Sequence, residues 1–114
     1  MDHMFAIMGT RMCVHLPAEI DHHVSKRLCE EMDCLVQKKH IRCILFDFGQ
    51  TTFMDSSGIG MLIGRYKTMR FMAGTVLAVN VSERMNRILE MAGIGKIMDI
   101  YEGMPAKMDA WTQS

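Results

Sequence analysis

The chain has 114 residues, 49% of them hydrophobic, which is enough for one domain around one core and leaves no room for a second. Thirteen basic residues balance thirteen acidic ones, so no net field is available to hold nucleic acid by counterion release or an anionic membrane by surface potential, and no apolar run approaches the ~20 residues that cross a bilayer. The four cysteines, Cys13, Cys29, Cys34 and Cys43, have no CxxC spacing and no secretory segment beside them, so they read as reduced thiols of a cytoplasmic protein that needs no disulfide or metal scaffold.

In chain order, the apolar stretches Met4 to Met8 and Met12 to Leu16, broken by Gly9, Thr10 and Arg11, predict a β-hairpin. Pro17 turns the chain, Asp21 stands as an N-cap, and Val24, Leu28, Met32, Leu35 and Val36 recur at helical spacing, with the basic residues near Lys38 to His40 suiting a C-terminus. The nearly continuous apolar run Ile41 to Phe48 has the length and composition of a central strand. A loop from Gly49 to Thr52 follows.

Ile59, Leu62, Ile63, Tyr66 and Met69 then define a second helix, capped by Asp55 or Ser56 and ended by Gly74. Thr75 to Val79 reads as the next buried strand. Ser82 caps a third helix with Met85, Ile88, Leu89 and Ala92 facing inward and Gly93 closing it. Ile97 to Tyr101 is a short last strand, and a terminal helix is expected over about 105–112. The order describes a single α/β domain over 1–114: an open, mixed, mostly parallel sheet of about five strands packed with about four helices.

The segment Met54-Asp55-Ser56-Ser57-Gly58-Ile59-Gly60 places two hydroxyls at a helix start, where unpaired N–H groups and the positive end of the macrodipole favour an anion. From local sequence, Ser56 is either a plain capping serine or a site of regulation. Gly58, Gly60 and Gly64 are expected to allow close approach of the sheet or of a partner. Asp21-His22-His23 lacks the HxxxH or Cys–His spacing of a metal site, and no metal ligand is assigned. The 14 methionines fall mostly at core-type positions, with Met54 and Met61 the two expected to be exposed beside the serines. Arg65, Lys67 and Arg70 read as a solvated face. Neither a P-loop, a GxGxxG nor a GxSxG elbow is present, so no cofactor and no catalytic residue is assigned, and a small serine hydrolase using Ser56 is a remote alternative.

The segments 44–48 (ILFDF), 52–60 (TFMDSSGIG) and 62–67 (LIGRYK), with 19–23 (EIDHH), 82–91 and 92–97 (AGIGKI), occur in order over about 5–100. Together they resemble the bacterial anti-sigma factor antagonists of the STAS domain family, most of all the branch acting on anti-sigma F. The resemblance implies partner switching: the unphosphorylated antagonist binds an anti-sigma factor and frees the sporulation sigma factor, and phosphorylation reverses this. It implies that the anti-sigma factor is itself the ATP-dependent serine kinase, that the acceptor is Ser56 with Ser57 as its rival, and that a separate serine phosphatase removes the phosphate. Any ATP then belongs to the partner. Asp21, Asp55, Ser57, Gly58 and Ile59 are the implied partner contacts, with Ile59 as apolar anchor and Asp21 open also to simple capping. A STAS switch in general stress sigma control is the alternative. The chain departs from the family where a glycine usually precedes the Glu-Leu-Asp segment: here Ala18 follows Pro17, and alanine would disfavour a positive φ.

Overall fold

A computed structural model describes residues 4–108. Strands β1 (Phe5–Met8) and β2 (Arg11–His15) form the expected antiparallel hairpin, with Gly9 at φ 62° in its turn. A two-residue strand β3 (Glu19–Ile20) leads into α1 (His22–Lys38), then β4 (Cys43–Asp47), a second two-residue strand β5 (Phe53–Met54), α2 (Ser56–Phe71), β6 (Thr75–Val79), α3 (Glu83–Met91), a 3-10 turn over Ile94–Lys96 and β7 (Asp99–Ile100). The main sheet has the order β1-β2-β4-β6-β7, parallel except for the hairpin, and β3 pairs with β5 as a separate parallel ladder. Three α-helices lie within the described residues, against about four expected. The terminal helix expected over 105–112 falls largely outside them, and 106–108 forms only a 3-10 turn.

Strand parity sorts the sheet into two faces. Met12, Val14, Ile44, Phe46, Val76 and Ala78 share one core with Leu28, Met32 and Val36 of α1, Leu62 and Met69 of α2, and Met85 and Leu89 of α3. All three helices therefore cover the same side. Ala6, Cys13, Leu45, Leu77 and Val79 form the other face, closed over by Tyr101, Met104 and Met108. That cover explains why β4 is apolar on both sides although helices lie on only one of them.

Some expectations are corrected by helix ends. Ala92 is the C-cap of α3 and is exposed rather than inward, because the helix has already ended there; Gly93, at φ 79°, closes it as expected. At the end of α2 the left-handed residue is Ala73 (φ 60°), one position before Gly74. Ala73 N–H donates to the Arg70 carbonyl and Gly74 N–H to the Met69 carbonyl, which is the Schellman pattern with alanine at the position that prefers glycine. Gly74 is required for a different reason, since a Cβ there would lie 2.6 Å from the Arg42 carbonyl oxygen. Alanine in the left-handed region costs roughly 1–2 kcal/mol, and glycine gives back about 0.4–1 kcal/mol to the unfolded chain. Ala73→Gly is expected to stabilise the fold by about 0.5–1 kcal/mol, seen as a higher urea midpoint at unchanged m-value.

Ala18 is absent from the residues with positive φ, so the departure from the family glycine is accommodated without strain. Its carbonyl accepts from the Thr52 and Phe53 backbone N–H groups, and Thr51 Oγ1 donates to the Pro17 carbonyl at 2.9 Å. The Pro17–Ala18 turn thus fastens the start of β3 to the loop before β5.

Candidate functional site

The short β3–β5 ladder builds the site. Its register sets Ile20 opposite Met54, and Asp55 N–H donates to the Ile20 carbonyl at 3.1 Å, so the two following residues, Asp21 and Asp55, begin two helices from neighbouring strands. Each aspartate caps its helix. Asp21 Oδ1 accepts from Val24 N–H at 2.9 Å; Asp55 Oδ1 accepts from Ser57 N–H at 2.8 Å and Gly58 N–H at 3.2 Å. The Val24 hydrogen bond, together with the nearby His23, holds the Asp21 carboxyl below its ordinary value despite slight desolvation. No acidic residue occupies the first turn of α1 or α2 beyond these caps, so the two aspartate carboxylates are the anions that meet the positive helix ends.

The two serines differ. Ser56, the first residue of α2, is exposed and makes no side-chain hydrogen bond among the described residues. Ser57 is half-buried, and its Oγ lies 3.5 Å from His22 Nδ1 of α1, a contact with no signature in the linear sequence because its partners are 35 residues apart. Gly58 is buried: a Cβ there would overlap Met54 Cγ and come within 3.2 Å of Ile20 Cγ2. Gly60 and Gly64 have open space where a Cβ would go, so close helix–sheet approach accounts for Gly58 alone. Ile59 is half-buried and packs against the core.

The methionine expectation is reversed: Met54 is turned inward by strand parity on β5, and Met61 lies among the buried residues of α2. Met54 is 4% and Met61 3% exposed, whereas Phe53, one residue earlier on β5, is 44% exposed and is the apolar side chain presented beside the serines. Residues adjacent on a strand point to opposite faces, and β5 is too short for its parity to be read from the sequence. Lys67 and Arg70 are exposed as expected. Arg65 is not: its side chain is 13% exposed and its Nε lies 3.4 Å from Asp33 Oδ1 of α1, tying the two helices together.

A second polar cluster lies on the sheet. His15 Nδ1 is 2.8 Å from Asp47 Oδ2, and Cys13 Sγ is 3.8 Å from His15 Nε2. The order Cys–His–Asp has the form of a nucleophilic triad, but burial, with a further contribution from Asp47, pushes the Cys13 thiol up to about 12. A buried neutral thiol is a poor nucleophile. Burial acts to raise the Asp47 carboxyl, but hydrogen bonds from Asn80, the Gly49 N–H and His15 outweigh it and hold it low. At the serines, His22 is paired with no carboxylate among the described residues, so the His–carboxylate pair of a nucleophilic triad is not assembled there. All four cysteines are unpaired thiols, and no helix of the described residues is long and apolar enough to cross a membrane.

The family model described as the STAS domain matches residues 6–105. The anti-sigma F factor antagonist of Paenibacillus polymyxa is 36% identical over 91 residues, covering 80% of this chain and 78% of that one. The anti-sigma-B factor antagonist of Bacillus subtilis is 31% identical over 88 residues, covering 76% of this chain and 78% of that one. Among solved structures, the phosphorylated form of the Bacillus cell fate determinant SpoIIAA superposes with a TM-score of 0.67 at 26% identity, over 82% of this chain and 85% of that one.

Proposed function

This chain belongs to the STAS domain family, and we propose that it is a cytoplasmic anti-sigma factor antagonist of the sigma F type, switched by phosphorylation at Ser56. The observation that carries the reading is the exposed, unpartnered Ser56 hydroxyl at the paired starts of α1 and α2, beside a Ser57 hydroxyl already turned toward His22. Relatives that antagonise anti-sigma factors, and a solved relative with a phosphorylated form, support it.

In this reading the unphosphorylated surface formed by Asp21, Asp55, Ser57, Gly58 and Ile59 binds the anti-sigma factor and releases the sporulation sigma factor. The anti-sigma factor, acting as a kinase, transfers the γ-phosphoryl group of its ATP to Ser56 Oγ; the hydroxyl proton leaves and ADP is the product. A serine phosphatase hydrolyses the phosphoserine back to serine. The protein supplies a positioned acceptor and performs no catalysis of its own.

Incubation with the cognate anti-sigma kinase and ATP, followed by intact-mass measurement and peptide mapping, is expected to show one phosphate, on Ser56. An unmodified chain, or phosphate on Ser57, would overturn the assignment. The resemblance to sigma-B antagonists favours a second reading, the same switch in general stress control. Parallel pull-downs with F-type and B-type anti-sigma factors separate the two.

A further inference from the structure

Cys13, His15 and Asp47 have no part in the antagonist reading, yet the sheet brings them together by rule. Cys13 and His15 are two apart on β2 and so share a face, and His15 lies directly opposite Asp47 in the β2–β4 register. A ring nitrogen of His15, Cys13 Sγ and an Asp47 oxygen all lie within 4.8 Å of one another. Asp47 is itself immobilised, its Oδ1 accepting from Gly49 N–H at 2.9 Å and from Asn80 Nδ2 at 3.0 Å while its Oδ2 faces His15 Nδ1.

A histidine whose one nitrogen is held by a carboxylate while the other faces a cysteine sulfur has the arrangement by which proteins orient an imidazole toward a metal. Zinc bonds of about 2.3 Å to sulfur and 2.0–2.1 Å to nitrogen put the two ligand atoms roughly 3.6 Å apart at a tetrahedral angle, and slightly farther apart at a wider one. The 3.8 Å between Cys13 Sγ and His15 Nε2 is within that reach without backbone movement. A cavity of about 200 Å³, lined by His15, Leu16, Asp47, Gly49 and Gln50, opens on the His15–Asp47 side of the cluster, whereas Cys13 is fully buried and is not part of its lining.

We propose that Cys13 and His15, with His15 oriented by Asp47, bind a soft divalent cation of the zinc class. As the S–metal bond forms the thiol proton passes to solvent, and nothing is oxidised or reduced.

The probe is Co²⁺ added to the full chain, followed by its thiolate-to-metal charge-transfer and visible d–d absorption, with Zn²⁺ competition. Wild type is expected to take up one equivalent with a charge-transfer band that Zn²⁺ displaces. Cys13→Ser is expected to abolish the band, whereas Cys34→Ser, at an exposed cysteine, is expected to leave it unchanged. Asp47→Asn is expected to keep the band with affinity lowered about 10–100-fold, the usual effect of losing an orienting partner. Should circular dichroism show Cys13→Ser to be unfolded, His15→Gln decides, through loss of the intense d–d absorption. A wild type without the band, a band that persists in folded Cys13→Ser or is lost in Cys34→Ser, or unchanged d–d absorption in His15→Gln overturns the proposal.

Discussion

Ser56→Asp is expected to lose anti-sigma factor binding by about two orders of magnitude or more, while melting at or slightly above the wild-type temperature. The two effects have opposite signs for physical reasons. Ser56 is the exposed first residue of α2, where a negative charge meets the positive end of the helix and typically contributes about 0.3–1 kcal/mol, partly offset by crowding against Asp55. In a complex, the same charge would be covered by a partner surface shaped for a hydroxyl. A misplaced charge at an interface costs several kcal/mol, and each 1.4 kcal/mol is tenfold in affinity. Ser56→Ala is expected to retain binding and to escape kinase control, since it removes the acceptor without adding charge. Titration calorimetry with the anti-sigma factor and a thermal melt check the pair. Binding of Ser56→Asp at wild-type affinity would overturn the switch reading, and a collapse of the melt would show that the serine is structural.

Gly58→Ala and Gly60→Ala, two residues apart on one helix, are expected to act in opposite directions. A Cβ on Gly58 would overlap Met54 Cγ and crowd Met54 Sδ at 3.1 Å and Ile20 Cγ2 at 3.2 Å. Met54 is buried, so it has no solvent to retreat into. Overpacking of this kind costs about 1–3 kcal/mol, which outweighs the helix-propensity gain of up to ~1 kcal/mol, so a net loss of roughly 1–2 kcal/mol is expected, with a melt lowered by several degrees. Because Met54 and Ile20 are the register pair of the β3–β5 ladder, the displacement moves the start of α2, and partner binding falls with stability. At Gly60 the added methyl meets open space, and the propensity term alone should stabilise the fold by up to ~1 kcal/mol. Denaturant unfolding of both variants tests this. Equal effects would mean that the contact at Gly58 does not govern packing there.

Features that depend on a few neighbouring residues were legible before the fold was known. Asp21 and Ser82 cap the helices that follow them, and of the two caps open for α2, Asp55 or Ser56, it is Asp55, because a short side-chain oxygen two or three residues before a free N–H needs no tertiary context. The hairpin, the strand at Thr75–Val79 and the closure of α3 at Gly93 were legible for the same reason. The family motif placed Ser56 on a helix start in the same way.

What the linear pattern did not carry was every relation spanning tens of residues. The β3–β5 ladder joins two pairs of residues too short to show a period, so the exposure of Phe53 and the burial of Met54 depend on a register set elsewhere. Arg65 looked like one of three solvated cations until α1 brought Asp33 alongside it. The family motif favoured Ser56 over Ser57 as acceptor, but the contact of Ser57 with His22 arises only because two helices start side by side. Cys13, His15 and Asp47 become a cluster only when β2 and β4 align in parallel. Local hydrogen-bonding chemistry by itself determined where this chain turns, caps and begins its helices. Which side chains share a face, and so which can meet a partner or a metal, was decided by the sheet register, because one step of register exchanges the two faces of a strand.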